Sequence, residues 1–465
     1  MDRIWLNAYP EGIPADIDPD GPASLRDVLE ASFRRFRDRP AFSCMGRRLS
    51  YGQMDGLSRA FGAFLHQTLG LNKGDRLAIM LPNLLQYPVA LFGALRAGLT
   101  VVNVNPQYTA AELEQQLTDA DAAAILVLEN FAATVQQVLD RTPLTTVITT
   151  QAGDLLPFPK SLLVNLAVKY IQRKVPPWRI PGAIGFDEAL QAGGRQTLNA
   201  VPLGHDDAAF LQYTGGTTGT PKGALLTHGN LVANLLQAEA WIKPWVRDGE
   251  EIIVTALPLY HIFSLMANGL LFARLGAESL LITDPRNLPA FVKALHGVRF
   301  TAITGVNTLF NGLLDTAGFD ALDFSGLKIT LGGGAAVHKA VAERWQAVTG
   351  CPLVEAYGLT ETSPAVCVNP LDIDGYTGSI GLPIPSTEVA ILDDDGRELA
   401  VGQTGELGVR GPQVMKAYWR RPEETAGAFT ADGWLKTGDM ACMDPRGYVR
   451  LIDRKKDVIL VSGFN

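Results

Sequence analysis

The chain is short of cysteine, of basic charge and of uninterrupted apolar sequence, and each shortage closes a class of function. Its four cysteines, Cys44, Cys351, Cys367 and Cys442, lie far apart. They give neither a zinc-ligand spacing nor a disulfide framework, and a reduced, cytoplasmic setting fits them. Acidic residues outnumber basic ones, 48 to 40, for a net charge of -8. That argues against nucleic-acid binding, which wants a basic surface. The opening Met1-Asp2-Arg3-Ile4-Trp5 has no apolar signal-peptide core. Residues 252–273 carry no charged side chain and are long enough to cross a bilayer. Pro258, His261, Ser264 and Asn268 interrupt them, however, and polar groups are costly in lipid. The expectation is a buried strand, a turn at Pro258 and a buried helix from about Ile262.

What is present is enough apolar sequence for a large core. Of the 465 residues 47% are hydrophobic, a length that suggests two to four lobes. Leu77–Leu81, Val101–Val104 and Ala124–Val127 read as buried strands, with helices over Tyr87–Gly98 and Ala110–Ala120 between them. Such alternation predicts an α/β fold with parallel sheets covered on both faces. The pattern resumes at Ala208–Tyr213, Thr301–Val306, Leu327–Leu331 and Leu353–Tyr357, each running into a Gly-rich or polar turn. In such sheets ligands bind beyond the carboxyl ends of the strands. From about Tyr376 the texture changes. Val389–Leu392 leads into the hairpin-type turn Asp393-Asp394-Asp395-Gly396, and Gly405–Arg410 and Gly447–Ile452 read as further strands of a smaller β-rich region.

The stretch from Tyr213 to Gly223 packs four glycines, four threonines and one lysine into eleven residues. Glycines let a backbone approach a ligand closely, and successive N–H groups form an anion-binding concavity. The hydroxyls of Thr214, Thr217 and Thr218 add donors, and Lys222 adds a point charge. A polyphosphate is the matching ligand. Because Lys222 precedes a glycine, this is not a Walker A loop. Gly, Thr and Pro also build plain surface loops, so that alternative stands for the stretch taken alone.

Residues 155–186 hold Lys160, Lys169, Arg173, Lys174 and Arg179, and no acid. Leucines, Val168, Tyr170 and Ile171 interleave with them. A basic amphipathic segment of this kind suits an anionic membrane surface, and it equally suits an ordinary surface helix.

Five more segments accompany the glycine-threonine loop: Leu257–His261, Leu331–Ala335, Tyr357–Glu361, Trp434–Asp439 and Asp453–Asp457. Each has a plain alternative. Glu361 suits a helix first turn, Asp439 a turn, and His261 a satisfied core position. Arg454 with Lys455 and Lys456 suits a solvated charge run. Taken in order, the six segments resemble the adenylate-forming superfamily of acyl-CoA synthetases, luciferases and adenylation domains. Asn83–Gly93 and Ile452–Asn465 are similar to its bacterial long-chain fatty acid–CoA ligases.

The resemblance implies two α/β subdomains over about 1–200 and 201–375 and a β-rich, barrel-like one over about 376–452. Residues 453–465 then lead, through a hinge at Lys456, toward a further small domain. It implies a ligase that joins a long-chain fatty acid to coenzyme A through an acyl-adenylate, consuming ATP and releasing AMP and pyrophosphate. Lys222 and the loop of Thr214, Gly215, Gly216, Thr217, Thr218 and Gly219 would hold the β- and γ-phosphates. Glu361 would bind Mg²⁺, and Thr360 the α-phosphate. Tyr357 and Gly358 would face adenine, with Gly332, Gly333, Gly334 and Ala335 along its edge. Asp439 and Arg454 would hold the ribose. His261, Phe263, Leu265, Gly305 and Val306 match acyl-site positions, although some relatives carry a gating tryptophan where this chain has Leu265. Because the family's last domain carries a catalytic lysine, a chain stopping just past Lys456 is expected to turn over poorly. Peripheral contact with the inner membrane through 155–186 and pairing as a homodimer stay open. So do a medium-chain or aryl acid substrate, and a non-catalytic module that only binds nucleotide or acyl ligand.

Overall fold

Short aliphatic runs closed by Gly, Pro or polar turns become strands buried on both faces, as parallel sheets require. In the computed structural model, which describes residues 3–18, 21–214 and 221–454, these runs lie where the sequence places them. Arg76–Met80, Thr100–Asn103 and Ala124–Leu128 are strands with nearly every side chain buried. The chain divides into two units. One comprises Met1–Gly21, Asn230–Arg247 and Leu288–Asn465, the other Pro22–Gly229 and Asp248–Asn287.

In the unit that begins at Pro22, seven strands follow the order Lys222–Thr227, Ala208–Thr214, Thr100–Asn103, Arg76–Met80, Ala124–Leu128, Thr146–Thr150 and Ile184–Gly185. Neighbours are parallel except the first pair, an antiparallel hairpin. The connecting helix Gln86–Arg96 is buried along its whole length. The next, Ala110–Ala120, starts at a capping box: Thr109 Oγ1 accepts from the Glu112 N–H, and Glu112 Oε2 accepts from the Thr109 N–H. The boundary expected near residue 200 falls inside this unit, because Ala208–Thr214 pairs directly with Thr100–Asn103. A second ladder of the same unit orders Ile252–Thr255, Glu278–Leu281, Pro40–Cys44 and Arg47–Ser50.

The charge-free stretch resolves as expected. Ile252–Thr255 is a strand, and after Pro258 a helix runs from Ile262 to Arg274, wound as a π-helix over Leu265–Leu271. Among the described residues no helix is long and apolar enough to cross a membrane.

The other unit carries Ala302–Gly305, Ile329–Gly332 and Leu353–Gly358 as parallel neighbours. Ala365–Val368 and Leu382–Pro383 extend them antiparallel. The β-rich region is a four-stranded antiparallel sheet of Glu388–Leu392, Thr404–Arg410, Leu435–Met443 and Val449–Arg454. Register shifts between Glu406 and Gly408 and between Met440 and Ala441 bend it. Trp434 packs with Ala390 and Leu392 beneath it.

Candidate active site

Lys222 and Thr214 are brought together by a hairpin. Thr214 ends one strand, Lys222 begins the next, and the two stand directly opposite in the ladder. Thr214 Oγ1 donates to the Lys222 carbonyl at 3.5 Å. The two strands form an antiparallel pair, and the first of them runs parallel to its other neighbour, Thr100–Asn103. Its Gly215, Gly216, Thr217, Thr218 and Gly219 lie outside the described residues.

In the same unit, His261 caps the start of the helix that follows the Pro258 turn. Its N–H donates to Pro258 O at 3.0 Å, and its carbonyl accepts from the Leu265 N–H at 2.9 Å. The ring lies 5.2 Å from that of Tyr260. The side chain is open to solvent, yet desolvation holds its pKa below the ordinary histidine value. Both facts describe a group in a recess, reachable by solvent but poorly hydrated. Phe263 is half-buried and Leu265 fully buried.

Buried polar side chains that the sequence did not single out hold this turn. Asn83 Nδ2 donates to Thr255 O (3.0 Å) and Leu257 O (2.9 Å), while its Oδ1 accepts from the Leu259 N–H (2.8 Å). Tyr87 Oη donates to Leu259 O at 2.8 Å and to Asn103 Oδ1 at 2.7 Å. Gln212 Nε2 donates to Tyr260 O at 2.7 Å. Such networks specify one arrangement when every member is satisfied.

In the other unit the expected residues sit at strand ends. Gly305 pairs with Gly332, and Gly332 with Glu355. A Cβ on Gly332 would meet Val337 Cγ2 at 2.6 Å, and Gly334 takes φ +75°. Only glycine suits the first without displacement and the second without strain. Gly333 is buried, Ala335 is exposed, and Val306 is half-buried. Beside this loop stands Glu355, absent from the sequence expectations. Its Oε1 accepts from the Val337 N–H at 3.2 Å. Burial pushes its pKa up to about 7, against the lowering effect of that hydrogen bond.

Tyr357 and Asp439 meet across 82 positions of sequence: the Tyr357 hydroxyl donates to Asp439 Oδ2 at 2.6 Å. Burial and the neighbouring carboxylate raise the tyrosine pKa well above its usual value. Asp439 is buried and lies opposite Arg454 in the ladder. The side chain of Arg454 and all of Lys456 lie outside the described residues. Gly358 ends the Tyr357 strand.

Thr360 and Glu361 occupy a single 3-10 turn. Glu361 is not the first-turn acid of a longer helix. Its Oε1 accepts from the Tyr418 hydroxyl at 2.7 Å, and its carbonyl from the Met415 N–H at 2.7 Å. Among the described residues no cluster of three or more His, Cys, Asp or Glu forms a metal cage. One carboxylate fits Mg²⁺ that takes most of its ligands from phosphate and water.

The profile of the AMP-binding enzyme family matches residues 29–419. A long-chain-fatty-acid–CoA ligase of Escherichia coli O157:H7 is 56% identical over 465 residues, covering 100% of this chain and 83% of that protein. One of Yersinia pestis is 55% identical with the same coverage. The crystal structure of the anthranilate CoA ligase AuaEII in complex with anthranoyl-AMP superposes with a TM-score of 0.83 at 22% identity, covering 96% of this chain and 80% of that one, a likeness of fold. With strand ends, Tyr357–Asp439 and the Thr214–Lys222 hairpin arranged as described, the chain belongs to the AMP-binding enzyme family.

Proposed function

We propose that this protein is a long-chain fatty acid–CoA ligase of the AMP-forming type. The observation that carries the nucleotide part is the Tyr357–Asp439 contact. It fixes an aromatic ring near the end of one strand to a buried carboxylate in the middle of another, as a nucleoside needs for its base and its ribose. The choice of acid is supported by the 56% identity to a ligase of that name.

In this reading the fatty carboxylate attacks the α-phosphorus of ATP, and pyrophosphate leaves with the electrons of the broken P–O bond. The coenzyme A thiol, losing its proton, then attacks the acyl carbon of the adenylate and AMP departs. Phosphoryl transfer of this kind is mostly positioning and charge neutralisation. Lys222 and the 214–219 loop hold the β- and γ-phosphates, and Thr360 holds the α-phosphate. Tyr357 and Gly358 face adenine, with Gly332, Gly333, Gly334 and Ala335 at its edge, while Asp439 and Arg454 hold the ribose hydroxyls. Glu361 would hold Mg²⁺, which would neutralise charge on the phosphate oxygens. His261, Phe263, Leu265, Gly305 and Val306 contact the acyl end. The enzyme works in the cytoplasm and meets the membrane peripherally through 155–186.

The test is ATP–pyrophosphate exchange across a series of medium-chain, long-chain and aryl acids. Long-chain acids are expected to support the fastest exchange. A preference for aryl acids would reassign the substrate. In calorimetry, binding a nonhydrolysable acyl-adenylate no more tightly than ATP would make the chain a binding module instead.

A further inference from the structure

The helix after Pro159 turns its polar side to the protein and its apolar side outward. Lys160–Leu166 continues through a π-turn over Ala167–Ile171, and none of these residues is buried. Polar groups pin its inner side. Asn165 Oδ1 accepts from the Gly153 N–H at 2.6 Å, and Asn165 Nδ2 donates to Asp154 Oδ1 at 3.3 Å. Lys160 Nζ donates to the Met45 carbonyl, and Lys169 Nζ lies 4.0 Å from the buried carboxylate of Glu129. The approach is tight: a Cβ on Gly153 would meet the Ser161 carbonyl oxygen at 2.5 Å. Beyond the helix, Asn130 Nδ2 donates to Lys174 O (3.0 Å) and Gln136 Oε1 accepts from the Arg179 N–H (2.7 Å).

The outer side carries Phe158, Leu162, Leu163, Leu166, Tyr170 and Ile171, exposed by 81%, 50%, 61%, 43%, 65% and 80%. They are six of the nine exposed large apolar side chains among the described residues, gathered in one short segment. A surface helix normally buries its apolar stripe and shows its charges. This one is seated the other way round, by specific hydrogen bonds, so the exposure is built in. Arg173, Lys174 and Arg179 are exposed beside it, and the whole of 155–186 has five basic residues and no acidic one, in a chain of net charge -8.

We propose that this helix is the docking surface for an anionic lipid bilayer, with Phe158, Leu162, Leu163, Leu166, Tyr170 and Ile171 entering the acyl boundary. Arg173, Lys174 and Arg179 then meet the lipid phosphates. Interfacial helices combine these two elements, an apolar face that sinks in and cations at headgroup depth. A second copy of this chain is the poorer occupant. In a two-fold contact the same patch faces itself, which would set the basic group against its own copy. The purpose of the surface rests on the ligase reading: a long-chain acid partitions into bilayers, so docking brings the enzyme to its substrate. Binding itself does not depend on that reading.

The experiment is co-sedimentation of the whole chain with vesicles of equal parts phosphatidylglycerol and phosphatidylcholine, beside vesicles of phosphatidylcholine alone. The expected result is binding to the anionic vesicles that weakens with salt. The double variant Leu163→Ser, Ile171→Ser should lower partitioning by about tenfold or more, since burying each methylene favours the membrane. Arg173→Gln with Lys174→Gln should remove most of the preference for anionic vesicles. Absent binding, or binding unchanged in both variants, overturns the proposal. A dimer in sedimentation velocity that the serine variant dissociates overturns it in favour of self-association. Exchange activity with an acid in free solution should be the same in all forms. Loss of vesicle binding with activity intact therefore bears on docking alone, and failure of the wild type to bind a nonhydrolysable acyl-adenylate bears on the ligase reading alone.

Discussion

The Tyr418 hydroxyl donates a 2.7 Å hydrogen bond to Oε1 of Glu361, so the carboxylate proposed above to carry Mg²⁺ is held by a residue 57 positions away. Burial and that carboxylate raise the tyrosine pKa, so it stays a donor across the working range of pH. Tyr418→Phe keeps the ring and removes the donor. Because hydrogen bonds to charged groups contribute roughly 1.5–3 kcal/mol, the Mg²⁺ concentration that half-saturates ATP binding should rise by about tenfold. Calorimetric ATP titrations at graded Mg²⁺ check this. Glu361→Ala should abolish the Mg²⁺ dependence altogether, and unchanged dependence would remove Glu361 from that role.

Tyr357 and Asp439 should act as a coupled pair on nucleotide binding. Asp439→Ala is expected to weaken AMP binding by roughly 1.5–3 kcal/mol, through loss of a charged hydrogen-bond partner, and Tyr357→Phe by less. A double-mutant cycle should show a coupling of at least about 0.5 kcal/mol, as contacting residues do. Strict additivity would mean that the contact does not serve the nucleotide.

Glu355 sets a pH dependence of stability. Its folded pKa of about 7 lies above the 4.5 of an ordinary glutamate because burial disfavours the charged form. Between those values the folded protein holds a proton that the unfolded chain has released. Its contribution is therefore full at acidic pH and is lost as pH rises through about 7. Glu355→Gln should flatten this slope and stabilise the protein at pH 8, by roughly 2 kcal/mol once residual solvent access is allowed for. Urea midpoints across pH measure it, and parallel wild-type and variant curves would refute it.

Buried Arg96 and half-buried Asp55 form an ion pair whose rupture should be costly. Arg96 is 2% exposed, with Nη2 2.5 Å from Asp55 Oδ1 and Nη1 donating to Ser58 Oγ at 2.8 Å. Asp55→Ala removes the nearer of two carboxylates, Glu30 Oε1 staying 3.6 Å from Arg96 Nε, and should destabilise the unit by about 2 kcal/mol, below the loss of a sole partner. The urea midpoint should move down accordingly. A shift within the few tenths expected of a surface substitution would contradict the buried pairing.

Much of this molecule was readable from residues alone, for identifiable reasons. Ala110–Ala120 was bounded correctly because Thr109 and Glu112 write a capping box and Asp121 accepts the left-handed φ of 52° at its end. The strand ends that carry Gly332 and Tyr357 announced themselves through glycines after aliphatic runs. Pairings across long stretches of sequence were not readable. Nothing near Tyr418 points to Glu361, and nothing near Glu355 tells that Val337 will bond it in a poorly hydrated place. Asn83 stands out in the sequence only as the start of the Asn83–Gly93 stretch, not as the clamp of the His261 turn. Those relations depend on which strands become neighbours, and local periodicity does not encode that.

The Asn83 clamp also bears on folding. Its three hydrogen bonds span 172 to 176 residues of chain. Closing so long a loop is entropically slow, and long-range contacts form late when they depend on prior loop closure. The Pro258–His261 turn should therefore acquire its shape only after both distant segments have found each other. In refolding, recovery of acyl-ligand binding should lag behind the return of helical signal, so that the proposed acyl end of the site is among the last parts of the enzyme to become competent.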